Sequence, residues 1–419
     1  MIEENNVKLT KTKHFWLILV AFVGGIGLVI AIVMLNVFGF FTHTSGYLAL
    51  DALPESGLAY NGDVRCYVYF NGNDMSVRTD KARANQAYSN ALKAAFKRTD
   101  PTRIYEDSAS LGRINGNLNT DVKVDSTVYE VLQQFAALSK IENNYSIHAG
   151  PIYDCWQLLV NNHLLQGEGD LDPSADAEMA TMLNELSAYT FAKEHVDLQF
   201  KADNVVRLTV SEEYQEFLKS HDISSPLVSL NSLREIYEVN EVRKSLEEAG
   251  FTDGYITSKR GYGVTLSGLS ALEHKVNLPS DPTGSAGATI QIKGVHCFAK
   301  NPRYYIPGND PLLNYVHVKD GNKTYRSLYV DLSDGISHDE IMYSFLFHQG
   351  EDLLTLALEA EKNFQVRSLE GLKSYAQGLR ADTDYAFFIK EEPATVYIGE
   401  SLKNSLTILK PDSLSSKAL

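Results

Sequence analysis

The sequence predicts a mixed α+β fold rather than a strictly alternating α/β fold. Short strands with a period-two pattern and amphipathic helices are interspersed along the chain, and they do not follow one another in regular β-α-β order. The hydrophobic share of 44% with 22% charged residues is typical of a globular domain, and no internal repeat is visible. A chain of 419 residues is long enough to bury a large core.

The individual elements follow from local hydrophobic periodicity. Predicted helices cover Asn85–Arg98, Thr127–Lys140, Glu238–Ala249, Ser337–His348 and Glu351–Phe364. Predicted strands cover Val64–Phe70, the hairpin Leu198–Val210, Gly254–Ser258, Val264–Ser267, Thr289–Lys293, Val316–Val318, Ser327–Leu332, Tyr385–Ile389 and Thr395–Ile398. Thr127 and Glu130 have the spacing of a capping box, and Gly250 follows the helix that ends at Ala249.

An apolar N-terminal stretch predicts a membrane anchor. Phe15–Phe41 carries no charged residue and is long enough to span a bilayer. Three lysines precede this stretch and no lysine or arginine follows it before Arg65, so the positive-inside rule places the N-terminus in the cytoplasm. We therefore expect a single-pass protein of the cell membrane with a cytoplasmic tail, an uncleaved signal anchor, a linker and an extracytoplasmic domain. Their expected boundaries are 1–14, 15–41, 42–63 and 64–410.

Charge and cysteine content limit the possible partners. The formal net charge of −15 argues against nucleic acid and against an anionic membrane surface. Cys66, Cys155 and Cys297 are widely separated and odd in number. They therefore predict neither a disulfide framework nor a metal site.

Two short stretches carry recognisable motifs. In Tyr105–Asn115 (YEDSASLGRIN), the order of tyrosine, arginine and asparagine is similar to an early Tyr followed by a Ser-Arg-Leu-Asn-like element. In Tyr145–Leu158 (YSIHAGPIYDCWQL), Gly150, Pro151 and Trp156 match a G-x-F-D-x-T-x-G-P-L-x-x-x-W element. The Asp and Thr of that second element are replaced by Ser146 and His148. Together the two stretches resemble the FAD:protein FMN transferases.

The resemblance implies a flavin-transferase-like domain behind the N-terminal transmembrane helix. Enzymes of this family transfer FMN from FAD to a threonine or serine of a partner protein, with a divalent cation such as Mg²⁺. The resemblance also implies that Gly150, Pro151 and Trp156 frame the flavin, since Gly-Pro makes a turn that a flat ligand can approach and Trp offers a stacking face. A structural turn with a core tryptophan is the alternative reading of the same residues.

A third stretch resembles the family's Y-S-H-I-I-D-P-x-T-G strand. Tyr315–Asp320 (YVHVKD) matches it at the tyrosine, at His317 and at Asp320, although the Pro and Thr-Gly are absent. Arg303 matches a family arginine upstream of this strand. The resemblance implies that His317, Asp320 and Arg303 line the nucleotide site, with His317 and Asp320 in the catalytic role. The alternative is an exposed strand histidine followed by a turn aspartate.

The family's metal-binding element has the pattern A-D-A-L-A-T, with Asp and Thr four residues apart. Aligning the closing glycine of that element with Gly350 places Glu340 and Ser344 at the two positions, as oxygen ligands on one face of the predicted helix. Asp339 is one residue out of register. The alternative is a capping box, with Ser337 at the N-cap and Glu340 three residues later, which explains Glu340 without a metal.

Two glycine-rich loops of the family are absent. The D-L-G-G-I-A-K-G-Y-A-V-D loop aligns with Ser229–Asn240, where Asn231 and Ser232 replace the glycine pair and Glu235 replaces the lysine. The N-L-G-G-D loop aligns with Thr257–Gly261 (TSKRG). Side chains at such positions hinder the approach of phosphate to backbone N–H groups, and a carboxylate repels it.

These observations leave two main functions open. The chain is either a membrane-anchored FAD:protein FMN transferase with a membrane redox protein as acceptor, or a non-catalytic flavin-binding or scaffold pseudoenzyme of a membrane redox system. A purely structural surface protein is a third possibility. The retained motifs favour the enzyme, and the altered loops favour the other two.

Overall fold

A computed structural model of the chain has a mixed α+β architecture built around one large sheet. It describes residues 20, 22–30, 32–34, 43–53, 64–141, 145–166, 172–266, 273–279, 286–302, 314–319, 322–327, 329–338, 340–350, 352–389, 394–412 and 414–419. The strands are β1 (His43–Ala49), β2 (Val64–Asn73), β3 (Asp121–Lys123), β4 (Val196–Lys201), β5 (Val205–Val210), β6 (Gly254–Ser258), β7 (Tyr262–Thr265), β8 (Glu273–Pro279), β9 (Ala286–Lys293), β10 (Cys297–Pro302), β11 (Asn314–Lys319), β12 (Asn322–Ser327), β13 (Tyr343–His348), β14 (Thr383–Ile389), β15 (Ala394–Ile398), β16 (Leu406–Ile408) and β17 (Leu414–Ala418). The helices are α1 (Asp74–Thr99), α2 (Leu111–Asn115), α3 (Ser126–Ile141), α4 (Gly150–Gln166), α5 (Ala177–Phe191), α6 (Glu212–Ser220), α7 (Arg234–Glu248), α8 (Leu353–Lys362), α9 (Leu369–Gly378) and α10 (Glu400–Lys403).

Four sheets are present among the described residues. The main sheet has nine strands in the order β1-β2-β6-β7-β10-β13-β14-β15-β17. Its neighbours pair antiparallel, except that β17 lies parallel to β15. Two three-stranded sheets, β16-β9-β8 and β3-β5-β4, and the β11-β12 hairpin complete the set.

Helices cover one face of the main sheet, where the larger core lies. In β2 the inward residues Val64, Cys66 and Val68 are each 1% exposed, and they belong to the same apolar cluster as the buried residues of α1 and α7. α8 packs against β7, β10 and β13 on this face. Burying apolar side chains of this size contributes about 1.5–3 kcal/mol each, which explains the strict alternation in β2.

The opposite face of the sheet is covered at one half by the β16-β9-β8 sheet. Its inward residues, such as Val276 and Ile290, form a second apolar cluster with Phe298 and Phe345 of the main sheet. β10 and β13 are therefore buried on both faces, and all six residues of β13 are buried. A strand of this kind shows no alternating pattern in its sequence.

The predicted elements around the first half of the chain are confirmed. The strand at Val64–Phe70 is part of β2, and the helices at Asn85–Arg98, Thr127–Lys140 and Glu238–Ala249 lie within or overlap α1, α3 and α7. The hairpin Leu198–Val210 is β4-β5, with its turn at Asp203 and Asn204, which have φ of 59° and 58°. Asp and Asn tolerate this left-handed conformation better than most residues.

The predicted domain boundaries are too narrow at both ends. The stretch predicted as a linker (42–63) contains β1, which pairs along its whole length with β2. At the other end, β17 pairs with β15 beyond the predicted boundary at residue 410. Both strands lie at edges of the main sheet and pair with one neighbour only, so their short, largely polar sequences lack the strong alternation of a central strand.

The predicted helix at Ser337–His348 is wrong. Tyr343–His348 forms β13, between β10 and β14. The preceding residues form a turn closed by a bridge between Asp331 and Ile336. The predicted strand at Ser327–Leu332 is also displaced, because β12 ends at Ser327.

The predicted capping box at the start of α3 is replaced by a different cap. The Val128 N–H donates to Asp125 Oδ1 at 2.8 Å, so Asp125 satisfies the first turn of the helix. Thr127 and Glu130 have the spacing of a capping box but do not define the helix start. The cap therefore lies two residues earlier than the sequence predicts.

The membrane anchor is only partly within the described residues. Among those residues, none of the helices has the length and the hydropathy that a membrane span requires. Residues 15–19, 21, 31 and 35–41 of the predicted anchor lie outside them.

We expect Gly261→Ala to destabilise the domain more than Gly250→Ala. Both glycines have positive φ, 92° and 88°, so both variants incur backbone strain of about 1 kcal/mol or more. A Cβ on Gly261 would also lie 1.9 Å from Lys300 O, whereas nothing lies within 4 Å of one on Gly250. The additional loss should be about 2 kcal/mol in the free energy of unfolding, measured by urea denaturation. Equal losses would show that the Lys300 contact does not require glycine.

Candidate functional site

The motif segments identified in the sequence lie next to one another in the fold. Asn115, at the end of α2, donates from Nδ2 to Val228 O and accepts from Val228 N, both at 2.8 Å. Asn231, three residues after Val228, donates from Nδ2 to Ser146 O at 2.9 Å. These bonds bring the first two motif segments and the altered loop at Ser229–Asn240 together in the fold.

Gly150 and Pro151 begin α4 rather than forming an open turn. A Cβ on Gly150 would lie 2.1 Å from Pro226 O, so the chain itself requires glycine there. Pro151 occupies the first turn of the helix, where its missing N–H is harmless. Trp156 is 0% exposed and belongs to the core, so the indole offers no stacking face to a flavin. The role of Trp156 in framing a flavin does not fit this burial, and the alternative of a core tryptophan does.

The tyrosine of the first motif is held by an internal bond. Tyr105 OH donates to Asp100 Oδ2 at 2.6 Å, and the Lys97 ammonium lies 5.9 Å from the ring centroid. Burial, together with the Asp100 carboxylate, raises the pKa of Tyr105 to about 12. The phenol therefore stays neutral at physiological pH and acts as a hydrogen-bond donor.

Asn231, at the position of a family glycine, has a backbone conformation that favours glycine. Its φ is +50°, in the left-handed region that glycine adopts freely and asparagine adopts better than most residues. Next to it, the Ser232 hydroxyl accepts a 3.3 Å bond from Tyr153 OH. A buried serine and a tyrosine thus fill the space beside this turn.

Glu235, at the position of the family's lysine, binds the second altered loop. Its Oε2 accepts the Arg260 backbone N–H at 2.8 Å, and its Oε1 lies 3.9 Å from Arg260 Nε. Glu235 is 8% exposed. Burial alone would lower the pKa of Arg260, but the Glu235 charge and the nearby tyrosines Tyr153, Tyr329 and Tyr262 together outweigh it and raise that pKa above its ordinary value. The charge reversal at Glu235 is thus matched by a basic residue in the facing loop.

A group of buried tyrosines surrounds this pair, and the sequence did not reveal it. Tyr329 OH donates to Arg260 O at 2.5 Å, and the Arg260 guanidinium lies 5.8 Å from the Tyr153 ring centroid. Tyr262 OH donates to Glu361 Oε1 at 2.7 Å, and both residues are 0% exposed. Burial, reinforced by Glu361, raises the pKa of Tyr262 well above its ordinary value. Glu361 lies in the last turn of α8, where a buried carboxylate had no signal in the sequence.

A better match to the family's I-I-D-P-x-T-G strand lies downstream of the predicted one. Tyr329–Gly335 (YVDLSDG) has Asp331 and Gly335 at the spacing of the family's Asp and Gly. Asp331 Oδ1 accepts from the Ser333 N–H and hydroxyl, and Gly335 has φ of +71°. The signal was present in the Asp-x-x-x-Gly spacing, but the Tyr-x-His of the earlier stretch obscured it.

The residues first matched to that strand fall elsewhere. Asp320 and Arg303 lie outside the described residues, and of His317 only the backbone, in β11, is described. β11 pairs with β12 alone, as a separate hairpin. The catalytic and nucleotide-binding roles of these three residues therefore stay predictions.

Asp331 is part of the group of potential metal ligands that the described residues contain. Ligand atoms of Asp331, Asp334 and His338 all lie within 4.8 Å of one another. However, Arg367 Nη2 lies 2.7 Å from Asp331 Oδ2 and 2.6 Å from Asp334 Oδ2. His338 Nε2 lies 2.9 Å from the same Asp334 oxygen. Arg367 thus occupies both carboxylates, and we assign no metal to them.

Glu340 and Ser344 do not form the predicted magnesium site. Their pairing depended on a helix, and the structure has a strand there. Glu340 is exposed, whereas Ser344 is 0% exposed within β13. Another Asp and Thr, Asp352 and Thr355, lie three residues apart at the start of α8, one residue closer together than in the A-D-A-L-A-T pattern. Asp352 Oδ1 accepts the Thr355 N–H at 3.2 Å as a helix cap.

His148, which replaces the family's Thr, is buried beside the same site. It is 9% exposed and lines a small cavity with Ser146 and Thr190. Burial lowers the pKa of His148 to about 4, and a hydrogen bond with the Leu227 backbone only partly opposes this. The imidazole is therefore neutral at physiological pH.

We expect the Glu235–Arg260 contact to stabilise the domain. In a double-mutant cycle of Glu235→Gln and Arg260→Gln, the coupling should be about 1–3 kcal/mol in the free energy of unfolding. The exposed pair Lys403–Glu400, 3.4 Å apart, provides a control whose coupling should not exceed about 0.5 kcal/mol. Urea denaturation measures both cycles. Because Arg260→Gln keeps the backbone N–H, the cycle measures the side-chain ion pair alone, and equal coupling in the two pairs would show that this ion pair adds no more than an exposed one.

We expect a histidine-dependent loss of stability in mild acid. The folded pKa of His148 is about 4 and its ordinary value is 6.5, so the unfolded chain binds the additional proton between these pH values. The stability that neutral His148 contributes is fully present above pH 6.5. The free energy of unfolding falls by about 3 kcal/mol toward pH 4 as this contribution is lost. His148→Asn should reduce that slope in the urea midpoint, with the remainder due to His296, whose pKa burial also lowers, and His221→Asn, at an exposed position, should retain the full slope. An unchanged slope in His148→Asn would contradict the assignment.

The overall fold is similar to that of solved flavin transferases. The ApbE protein of Thermotoga maritima superposes with a TM-score of 0.57 at 13% identity, over 86% of this chain and 99% of that one. The flavin transferase ApbE of Vibrio cholerae gives 0.54 at 14% identity, over 87% and 99%. The flavinyl transferase ApbE of Pseudomonas stutzeri, in its apo form, gives 0.53 at 13% identity, over 87% and 97%.

Sequence comparison adds no closer relative. No protein-family model and no curated protein sequence matches the chain. The structural matches establish the fold. Because their sequence identity to this chain is low, they leave the activity open. The mixed α+β architecture predicted from the sequence is confirmed, and the chain has the fold of these flavin transferases.

Proposed function

We propose that the chain is a membrane-anchored, extracytoplasmic protein of the flavin-transferase fold that acts as a non-catalytic scaffold for a membrane redox protein. The observation that carries the proposal is the position of the Glu235 carboxylate. It accepts the backbone N–H of Arg260, in the loop that corresponds to the family's N-L-G-G-D element. A phosphate group bound there would need backbone N–H groups of this kind.

The carboxylate also acts against phosphate through its charge. Glu235 is 8% exposed, so solvent screens its charge poorly. A diphosphate in the same place would compete with Glu235 for Arg260 and be repelled by it. Binding of the flavin ring is also disfavoured, because Trp156 is 0% exposed and unavailable for stacking. The residues present do not fit FAD or Mg²⁺ as the family motifs would hold them, and we derive no transfer step.

Membrane anchoring rests on the N-terminal segment. Phe15–Phe41 has no charged residue, and the described residues between 20 and 34 are helical. Their large apolar side chains are exposed, for example Phe22 at 65% and Leu28 at 63%. Exposed apolar surface of this kind is unfavourable in water and favourable in a bilayer. The lysines before residue 14 then place the main domain outside the cytoplasm.

Transfer of FMN from FAD to a Thr or Ser of a partner is the second candidate function. It is favoured by the oxygen atoms of Asp352 and Thr355 at the first turn of α8, which are of the type that Mg²⁺ prefers. Burial would raise the pKa of Asp352, but hydrogen bonds with Thr355 and Arg380 outweigh it and lower that pKa. Asp352 is therefore ionised at neutral pH. Arg380 Nη1 already lies 3.2 Å from its Oδ2.

We expect the full-length chain in detergent micelles to show no saturable FAD binding up to about 100 μM, with or without Mg²⁺, by flavin fluorescence quenching. It should release no AMP when a Thr-containing acceptor is added. The double variant Glu235→Lys/Arg260→Gly restores the family residues at both positions. Its FAD affinity should rise about tenfold or more, because the competing carboxylate is gone.

Glu248→Lys serves as the control for the Glu→Lys exchange, since it makes the same substitution at an exposed position of α7. It should leave FAD binding unchanged. Tight Mg²⁺-dependent binding with AMP release by the unmodified chain would replace the scaffold by the transferase. Binding without AMP release would retain a non-catalytic protein and make flavin its ligand.

A further inference from the structure

Four tyrosines form a continuous face at one edge of the main sheet. Tyr47 of β1 lies directly opposite Tyr69 of β2, and Tyr67 of β2 lies opposite Tyr255 of β6. Ring centroids are 5.3 Å apart for Tyr47 and Tyr69, and 4.8 Å apart for the stacked pair Tyr67 and Tyr255. All four residues are partly exposed. We call this surface the tyrosine face.

The tyrosine face is the side of the sheet away from the helices. Strand residues alternate between faces, and in β2 the intervening Val64, Cys66 and Val68 are buried in the core. The β16-β9-β8 sheet packs on the same side as the tyrosine face, but against Phe298 and Phe345 of β10 and β13. The tyrosines therefore occupy the half of this side that lies near β1.

No strand position on this face is acidic, in a chain with a net charge of −15. The outward positions of β1, β2 and β6, read from the strand register, are His43, Ser45, Tyr47, Ala49, Arg65, Tyr67, Tyr69, Asn71, Asn73, Tyr255 and Thr257. Asp253, just before β6, accepts from Tyr47 OH at 2.9 Å at the margin of the face. The charges of Asp253 and Arg65 therefore balance at this face, in contrast to the negative charge of the chain as a whole.

The chain enters this face directly from the predicted membrane anchor. His43, the first residue of β1, is the second residue after Phe41, so at about 3.3 Å per residue it lies within about 7 Å of the end of that segment. The Thr44 hydroxyl donates to Asp74 at 2.6 Å, which places the start of α1 at the same corner. The next residue, Met75, is a large apolar residue that is 45% exposed.

Tyrosine suits the boundary between lipid and water. Its ring is apolar and its hydroxyl is polar, and it is enriched at the headgroup level of membranes. The headgroup layer on each side of the hydrocarbon core is only about 5–8 Å thick, so a face that begins within about 7 Å of the anchor lies within reach of it. Acidic residues would be unfavourable there, and the face has none on its strands.

We propose that the tyrosine face lies against the outer headgroup layer of the bilayer and orients the domain on the membrane. The partner is a zwitterionic phospholipid surface, with the Tyr67 hydroxyl and Arg65 bonding to phosphate and glycerol oxygens, while the Tyr47 and Tyr69 hydroxyls are held by Asp253 and Ser45 and their rings lie at the headgroup level. This proposal rests on the membrane anchoring in the proposed function and is independent of whether flavin binds. It also fixes which side of the domain remains open to a protein partner.

Brominated lipids test this contact by quenching tryptophan fluorescence. The full-length chain carrying Trp16→Phe is reconstituted in phosphatidylcholine vesicles with bromine near the headgroup end of the acyl chains, and in unbrominated vesicles. Tyr67→Trp places the reporter on the tyrosine face. Tyr385→Trp is the matched control, at a partly exposed tyrosine of β14 on the far side of the sheet. Trp156, which is buried, contributes the same background to both variants.

Tyr67→Trp should lose about twofold more emission in brominated vesicles than Tyr385→Trp. If Tyr67→Trp does not fold, Tyr69→Trp reports from the same face. Equal quenching of the two reporters, in a chain that floats with the vesicles, would overturn the proposal and leave the anchor intact. A chain that fails to float would overturn both the face and the anchor, whereas the FAD titration tests the scaffold separately.

Discussion

The bond between the Glu235 carboxylate and the Arg260 backbone organises the centre of this protein. A hydrogen bond from a backbone N–H to a charged acceptor contributes about 1.5–3 kcal/mol, more than a neutral one. The ion pair of the same residues is longer, 3.9 Å, and its Coulomb gain is largely offset by the desolvation of both charges. The short backbone bond therefore decides the geometry, and the guanidinium supplies charge balance. Through it, the first turn of α7 holds the loop between β6 and β7.

The glycines Gly150 and Gly263 make room for other parts of the chain, whereas the glycines of a nucleotide site make room for the ligand. Gly150 lets α4 approach Pro226, and Gly263 lets β7 approach the Phe298 ring, which would lie 2.2 Å from a Cβ. In both places one part of the chain, rather than a ligand, occupies the space that glycine leaves. The tyrosines around Arg260 fill the same region from the other side. The fold of a flavin transferase is thus retained, with protein atoms packed at several positions where the family motifs suggest ligand atoms.

Several elements could be predicted because local patterns determined them. The alternating β2 and the amphipathic α3 each bury one face, and that burial leaves a periodic signal. β13 has no such signal because both of its faces are buried, and its six residues were read as part of a helix. Site residues were harder to predict than helices and strands. Trp156, for example, matched a motif, but a sequence does not show whether a side chain is exposed. The Glu235–Arg260 contact joins the first turn of α7 to the loop between β6 and β7, and only the fold brings these residues together.

The placement of β2 beside β6 has a consequence for how the protein folds. Residues 74–253, which include α1 and α7, lie between these adjacent strands, so their pairing is a contact of high sequence separation. Contacts of this kind form late, because a long loop must close before they stabilise the chain. During synthesis, the β1-β2 hairpin keeps one unpaired edge until β6 arrives. A chain with an open strand edge is prone to pair with other strands, so this interval is when the protein is most exposed to aggregation.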